Sequence, residues 1–409
     1  MSHNQELTSP LFPDPTIPGR AGEHYPALDG LRGVAILLVL VFHGSLGLSW
    51  NGAGPLQELF ETGWIGVDIF FVLSGFLITG ILLDSKASPR YFLNFYARRV
   101  LRLVPAYFLL LVIVFVVLPH FVKFNTPGLI TIRDNQIWFW TYMTNWSFVW
   151  HRKVFANADW LNLNHLWSLS VEEQFYLFWP LLIYYLNKSQ VTLLCCICII
   201  GSLTLRIALW LLHEKSGALY FPTVCRLDGL AIGSMLAVQI RNTELHRRLT
   251  ATAMQIGVAA GCGILILGYW RGGFRFNDNI TIVFGIFMVA AFTGALLPFI
   301  AREVPNTSVA RVLCAFPLRA AGKYSYGIYL FHEVLRVPLQ LAIPVDILRA
   351  RLGIGELAGN IVWMGLFLSV SCAVAFMSWH LYEKQCLKLK QYFAFRPHQW
   401  APIKMVRSP

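Results

Sequence analysis

The chain has 409 residues, of which 56% are hydrophobic, 14% aromatic and only 13% charged. Soluble domains carry about 25% charged residues, so this composition excludes an ordinary soluble globular protein and fits a polytopic membrane protein, as does a mean hydropathy of +0.56. A formal net charge of +12 would suggest nucleic acid in a soluble chain. Here its distribution matters more than its total, and no nucleic-acid partner is expected.

Residues 1–24 are polar and proline-rich, with neither an apolar core nor a small-residue cleavage site. They do not read as a signal peptide, so the first span is expected to be retained. A hydrocarbon core about 30 Å thick needs about 20 mostly apolar residues. On that measure the spans fall at 28–48, 64–83, 100–119, 166–186, 191–212, 223–240, 249–269, 279–300, 320–343 and 358–380. The expectation is therefore an all-α protein of about ten transmembrane helices. With the N-terminus inside, the inner segments collect nineteen Lys and Arg residues and the outer segments nine, which by the positive-inside rule puts both termini in the cytoplasm. The chain then divides into a polar cytoplasmic segment (1–24), a membrane domain (25–385) and a basic cytoplasmic tail (386–409) able to lie on the anionic inner leaflet. The connection over 120–165 contains "QIWFWTYMTNWSFVW", whose aromatic density suits a re-entrant or interfacial helix.

The eight cysteines do not form a secreted disulfide framework. Cys195 and Cys198 make a CxxC without a second pair or a histidine, so small buried hydrophobes are expected and no metal.

Charges within spans cost several kcal/mol and usually face the bundle interior. "YPALDGLRGVAILLVLVFHGS" carries Asp29, Arg32 and His43. At about 100° and 1.5 Å per residue, the eleven residues from Arg32 return His43 to within about 20° of the same face, about 16 Å further on. Asp68 falls near the outer end of the second span, and "NHLWSLSVEEQFYLFWP" puts Glu172 and Glu173 one to two turns below the outer surface, with His165 on the face of Glu172. "CRLDGLAIGSMLA" places Arg226 and Asp228 at the outer end of the sixth span, and "GKYSYGIYLFHEV" carries His332 into the ninth. On the inner side, "YARRVLRLVPAY" offers Arg98, Arg99 and Arg102. The inner end suits an anionic ligand such as a phosphorylated co-substrate. The outer half suits acid–base chemistry on a polar substrate, with a histidine as base.

Plainer readings stand beside these. His43 alone fits a hydrogen-bonded packing residue, and the arginines fit topogenic charges. Glu172 and Glu173 fit ion-pair partners of Arg226, Asp29 fits a helix cap, and the glycines of "VLSGFLITG" fit close helix packing. "GKYSYG" misses the GxSxG spacing, and neither a Walker A loop nor a dinucleotide fingerprint is present. "NWS" at Asn145 is a glycosylation sequon that matters only in a eukaryotic secretory setting.

Together, "YPALDGLRGVAILLVLVFHG", "GWIGVDIFFVLSGFLITGILL", "FYARRVLRLVPAYFL", "LWSLSVEEQFYLFWPLL", "RLDGLAIGSMLA" and "YSYGIYLFHE" closely resemble, in order from about residue 25 to 385, the acyltransferase-3 family of integral membrane O-acyltransferases. The resemblance implies transfer of an acyl group from cytoplasmic acyl-CoA, as co-substrate, to a hydroxyl of a carbohydrate or another acceptor. It implies no permanently bound cofactor and a multi-pass protein of the bacterial inner membrane. The family's basic residue, ten-residue gap and histidine fall on Arg32 and His43, its RxxR on Arg99 and Arg102, and its SxxxEEQ-type block on Ser168, Glu172 and Glu173. The implied roles are donor-phosphate binding for Arg32, Arg99 and Arg102, base catalysis for His43, and orientation of the histidine or the acceptor by Glu172 or Glu173. Asp68, His165, Arg226, Asp228 and His332 are candidates for the acceptor site. The chain lacks the C-terminal esterase-like domain of some members, so any partner activity is expected from another protein. The rival readings are a transporter with a proton-coupled polar cavity and a non-catalytic envelope scaffold.

Overall fold

The structure, a computed structural model, describes residues 25–51, 54–151, 160–241, 243–301 and 307–393. The polar N-terminal segment, the basic tail beyond Phe393 and the Arg152–Lys153 pair of the long connection lie outside the described residues. The described chain is helical and contains no strand. Its principal helices are α1 (Pro26–Ser45), α2 (Gly66–Ser85), α3 (Tyr91–Val112), α4 (Leu166–Tyr185), α5 (Lys188–Leu211), α6 (Leu227–Ile240), α7 (Thr243–Arg271), α8 (Ile286–Ile300), α9 (Phe316–Ala342) and α10 (Glu356–Ser378).

Among the described residues, seven helices are long and apolar enough to cross a membrane, and an eighth is the bent pair Phe316–Ala342 and Val345–Leu352, which turns by 54°. The two other expected spans are α4 and α6. The first carries Ser168, Ser170, Glu172, Glu173 and Gln174. The second has 14 residues, which rise only about 21 Å. α6 is largely buried and packs against α2, α5 and α8, and α4 is buried over its polar first half, Leu166–Val171, while its second half exposes Leu177, Phe178 and Leu181. A helix screened from lipid on most sides can be short or polar where one facing lipid cannot. Exposed apolar surface of the kind that faces lipid is found on α5, α7 and α10, at Leu193, Ile197, Leu265, Ile266 and Ile361.

Two backbone contacts set the centre. α1 runs along α9, and a side chain at Gly33 would drive into the carbonyl of Leu318, as one at Gly322 would into that of Asp29. α2 meets α6 in the same way, with Gly75 against the carbonyl of Leu230. Small residues let helices approach this closely, so the packing reading of "VLSGFLITG" holds at Gly75. α1 begins earlier than the pattern suggested. Pro26 occupies its first turn after Tyr25, a position where proline's missing N–H and fixed φ cost nothing. Asp29 therefore lies inside the first turn rather than capping it. The aromatic connection folds into three short helices, Pro127–Asp134, Ile137–Trp140 and Thr144–Trp150. Asn145 is fully buried there, and its amide donates to Thr223 Oγ1 at 2.9 Å and to the Phe221 carbonyl at 3.3 Å, so the folded chain does not present the sequon.

After α10 the chain continues through a π-helical turn (Trp379–Glu383) and a short helix (Lys384–Lys388) to a 3-10 segment, Leu389–Phe393, which packs on α3.

Candidate active site

The final turn of α1 carries His43. On α9, Tyr329, His332, Glu333, Arg336 and Gln340 recur at helical spacing along the side facing α1. Gln340 donates to the Leu46 carbonyl at 3.1 Å and thereby ties that face to the end of α1. His165 stands at the start of α4, and Asn162 lies in the connection before it.

His43 Nδ1 is 2.9 Å from the Val39 carbonyl and 3.3 Å from His332 Nε2. His332 Nδ1 is 2.7 Å from the Tyr329 carbonyl. Carbonyls only accept, so these partners assign the proton to Nδ1 in both rings and leave both Nε2 atoms as acceptors. His43 Nε2 then presents its lone pair 3.6 Å from Glu333 Oε1. The Glu333 carboxylate, 1% exposed, accepts from Arg336 Nε at 2.9 Å and from Asn162 Nδ2 at 2.7 Å. A buried carboxylate needs that pairing. An imidazole lone pair beside a buried anion is built to accept a proton, because the imidazolium so formed is held by the anion. The His43 side chain keeps 18% of its surface exposed, so a hydroxyl can approach it.

One ligand atom from each of His43, His332 and Glu333 lies within 4.8 Å of the others, a spacing that would accommodate a metal. The donor set argues otherwise: Glu333 already carries the Arg336 guanidinium, a cation that opposes a second, divalent one. Proton handling fits these residues better.

On the other side of Tyr329 lies a cavity of about 300 Å³. One end is basic, lined by Arg32 of α1, Arg98, Arg99 and Arg102 of α3, and Lys390 of the terminal segment. The Arg99 guanidinium lies 4.9 Å from the Tyr176 ring centroid, and the Tyr176 and Ser74 hydroxyls bond to each other on the cavity wall. The middle is apolar, with Leu77, Ile78 and Leu103. Phe70, Ser168 and Tyr329 also line the cavity. There the Ser168 and Tyr329 hydroxyls meet at 2.5 Å, and Tyr329 also donates to the His165 carbonyl at 2.9 Å. The Tyr329 ring centroid is 5.5 Å from that of His332 and 5.6 Å from that of His165. Tyr329 is thus a wall shared by the cavity and the histidine cluster.

The sequence candidates separate into three groups. His43, His165 and His332 come together: the His332 ring lies 4.8 Å from that of His43 and 5.1 Å from that of His165. Arg32, Arg99, Arg102 and Glu172 line the cavity. Glu172 and Glu173 make no hydrogen bond or ion pair with His43; the carboxylate beside it is Glu333. Glu172 and Glu173 lie within electrostatic range of Arg99 instead. Asp68, Arg226 and Asp228 form a separate buried network. Arg226 bonds Asp68 at 2.5 Å and sits among the rings of Phe71, Trp167 and Tyr220, while Arg206 bonds Asp228 at 2.6 Å. The partner of Arg226 is therefore Asp68 and not either glutamate. Sequence reasoning missed Glu333, Arg336, Asn162 and Arg206. Glu333 and Arg336 sit in the ninth span and Arg206 in the fifth, where the rule that intramembrane charges mark function or pairing would have flagged them.

The class of the protein comes from comparison with known proteins. A family model described as "Acyltransferase domain" matches residues 25–380, and the chain belongs to that family. It is 32% identical over 378 residues to YrhL of Bacillus subtilis, provisionally named a peptidoglycan O-acetyltransferase, covering 88% of this chain and 54% of that one. It is 31% identical to the peptidoglycan O-acetyltransferase OatA of Listeria monocytogenes, covering 76% and 49%, and 30% identical to the O-acetyltransferase OatA of Staphylococcus aureus, covering 76% and 50%. The chain thus spans about half the length of the curated relatives it matches. No solved structure matches it.

Proposed function

We propose that the protein is a membrane O-acetyltransferase that moves the acyl group of acyl-CoA to a hydroxyl of a cell-envelope carbohydrate, with peptidoglycan the favoured acceptor on the names of its relatives. In this reading α4 and α6 complete ten crossings, both termini and the basic cavity end face the cytoplasm, and the histidine cluster faces outward in the bacterial inner membrane. The arginines hold the donor's phosphates, and the acyl arm runs along the apolar middle of the cavity towards Tyr329. His43 Nε2 takes the proton of the acceptor hydroxyl while that oxygen attacks the thioester carbonyl. Collapse of the tetrahedral intermediate breaks the C–S bond, and the imidazolium returns the proton to the thiolate. Glu333 stabilises the imidazolium.

The observation that carries this reading is the arrangement of α1. One helix puts Arg32 on the basic cavity and, eleven residues later, His43 beside a buried carboxylate. The test is mass spectrometry of envelope glycans from cells with the native protein, with none, or with His43→Ala. An added acetyl mass present only with the native protein is expected. A His43→Ala protein that restores the mass as well as the native one overturns the assignment of the base.

A further inference from the structure

The basic end of the cavity is lined by five cations and a single carboxylate, Glu172. Four of those cations come from α1 and α3. The fifth, Lys390, belongs to the segment Leu389–Phe393. Among the described residues, Arg32, Arg99, Arg102 and Lys390 make no ion pair with a carboxylate. Asp29, Glu172, Glu173 and Glu383 lie within electrostatic range of Arg99 or Arg102 without an ion pair to either, which leaves the hydrogen-bonding edges of these guanidiniums to an anion. The segment is held in place rather than draped nearby. Arg98 Nη1 lies 3.4 Å from both the Lys390 and the Phe393 carbonyls, and Glu383 in the preceding turn accepts from Ser378 Oγ at 2.8 Å. One arginine of α3 therefore spends hydrogen bonds on positioning the backbone that presents Lys390.

We infer that Leu389–Phe393 is a clamp for a polyphosphate group, with Lys390 closing the phosphate site that Arg32, Arg99 and Arg102 form on the opposite walls. A single phosphate would leave most of these cations unmatched, whereas a ligand carrying several phosphates meets them from three elements at once. Arginine forks supply paired hydrogen bonds and the lysine a mobile point charge. The apolar stretch beyond suits an uncharged arm attached to the phosphates. Two sources present phosphate to such a site: the nucleotide end of the acyl donor, which carries several, and the headgroup of an anionic lipid such as phosphatidylglycerol, which carries one. The clamp rests on the reading that the cavity takes a phosphorylated donor, and the nucleotide is the occupant assigned to it.

The test uses the full chain in nanodiscs, with coenzyme A and 3′,5′-ADP as probes and with Lys390→Gln, Lys390→Arg and native protein compared. One lost charged hydrogen bond on a phosphate weakens affinity about tenfold or more. In zwitterionic discs Lys390→Gln is expected to bind coenzyme A about tenfold more weakly, with a steeper share of the loss at low salt. Lys390→Arg is expected to stay near native affinity. An unchanged melting temperature separates this effect from misfolding. Native affinity in Lys390→Gln overturns the clamp and leaves the donor reading intact. Failure of the native protein to bind either probe overturns the donor reading itself. If Lys390→Gln alters only retention on phosphatidylglycerol vesicles, the residue contacts lipid and the nucleotide clamp is wrong.

Discussion

Glu333→Gln isolates the electrostatic half of the proposed catalysis. The amide keeps the shape of the side chain and an oxygen for Asn162 or Arg336, but removes the charge 3.6 Å from His43 Nε2. Two unit charges at that distance interact by about 5 kcal/mol at an effective dielectric of about 20. Arg336, 2.9 Å from the same oxygen, cancels part of this, leaving about 2–4 kcal/mol to be gained when the imidazolium forms. At 1.36 kcal/mol per decade this corresponds to a fall in kcat of about 30- to 1000-fold. On the proposed mechanism Glu333 acts through His43, so the KM for the donor is expected to hold. The assay is transfer of labelled acetyl in membrane vesicles under saturating donor. A second vesicle set carrying His43→Ala and Glu333→Gln together is expected to be no slower than His43→Ala alone, because the two act as one unit. Activity of Glu333→Gln within threefold of native, or full additivity in the double variant, would refute the reasoning.

Two further predictions concern the scaffold. Arg226→Met leaves Asp68 buried without its partner and is expected to cost about 3–5 kcal/mol, most of it recovered by adding Asp68→Leu. Thermal unfolding in detergent reads both, and a single variant that melts with the native protein removes the network's structural role. Gly33→Leu forces α1 away from the Leu318 carbonyl and is expected to abolish folded yield, whereas Gly365→Leu, at an exposed position with no atom within 4 Å of an added Cβ, should express normally. Fluorescence-detected size exclusion distinguishes the two.

The bundle was readable because lipid demands long apolar runs, and helices that face lipid, such as α5 and α7, are legible from composition alone. The sixth span was read at 223–240 from its apolar run, whereas the helix there covers only Leu227–Ile240, because Arg226 and the short 3-10 turn before it stand outside the helix. The histidine cluster was half legible. Its histidines stand out as polar residues in apolar spans, while the adjacent Glu333 carries no sequence signal that its carboxylate faces His43 on a distant helix. Which acid pairs with which base depends on how distant helices rotate against one another. That is why Glu172 and Glu173 looked equally eligible to serve His43 and to pair with Arg226, and in the structure do neither. Lys390 read as one more topogenic charge, since nothing in the sequence says that the tail folds back onto α3.

The hydroxyls of Ser168 and Tyr329 bond to each other on the wall that the cavity shares with the histidine cluster. If the acyl end of a donor lodges in that cavity, as proposed, this pair would stand between it and the proton-accepting atoms beyond. Such a barrier would shield an activated group from water while no acceptor is present. Loss to hydrolysis and transfer to an acceptor would then both depend on the position of one tyrosine side chain.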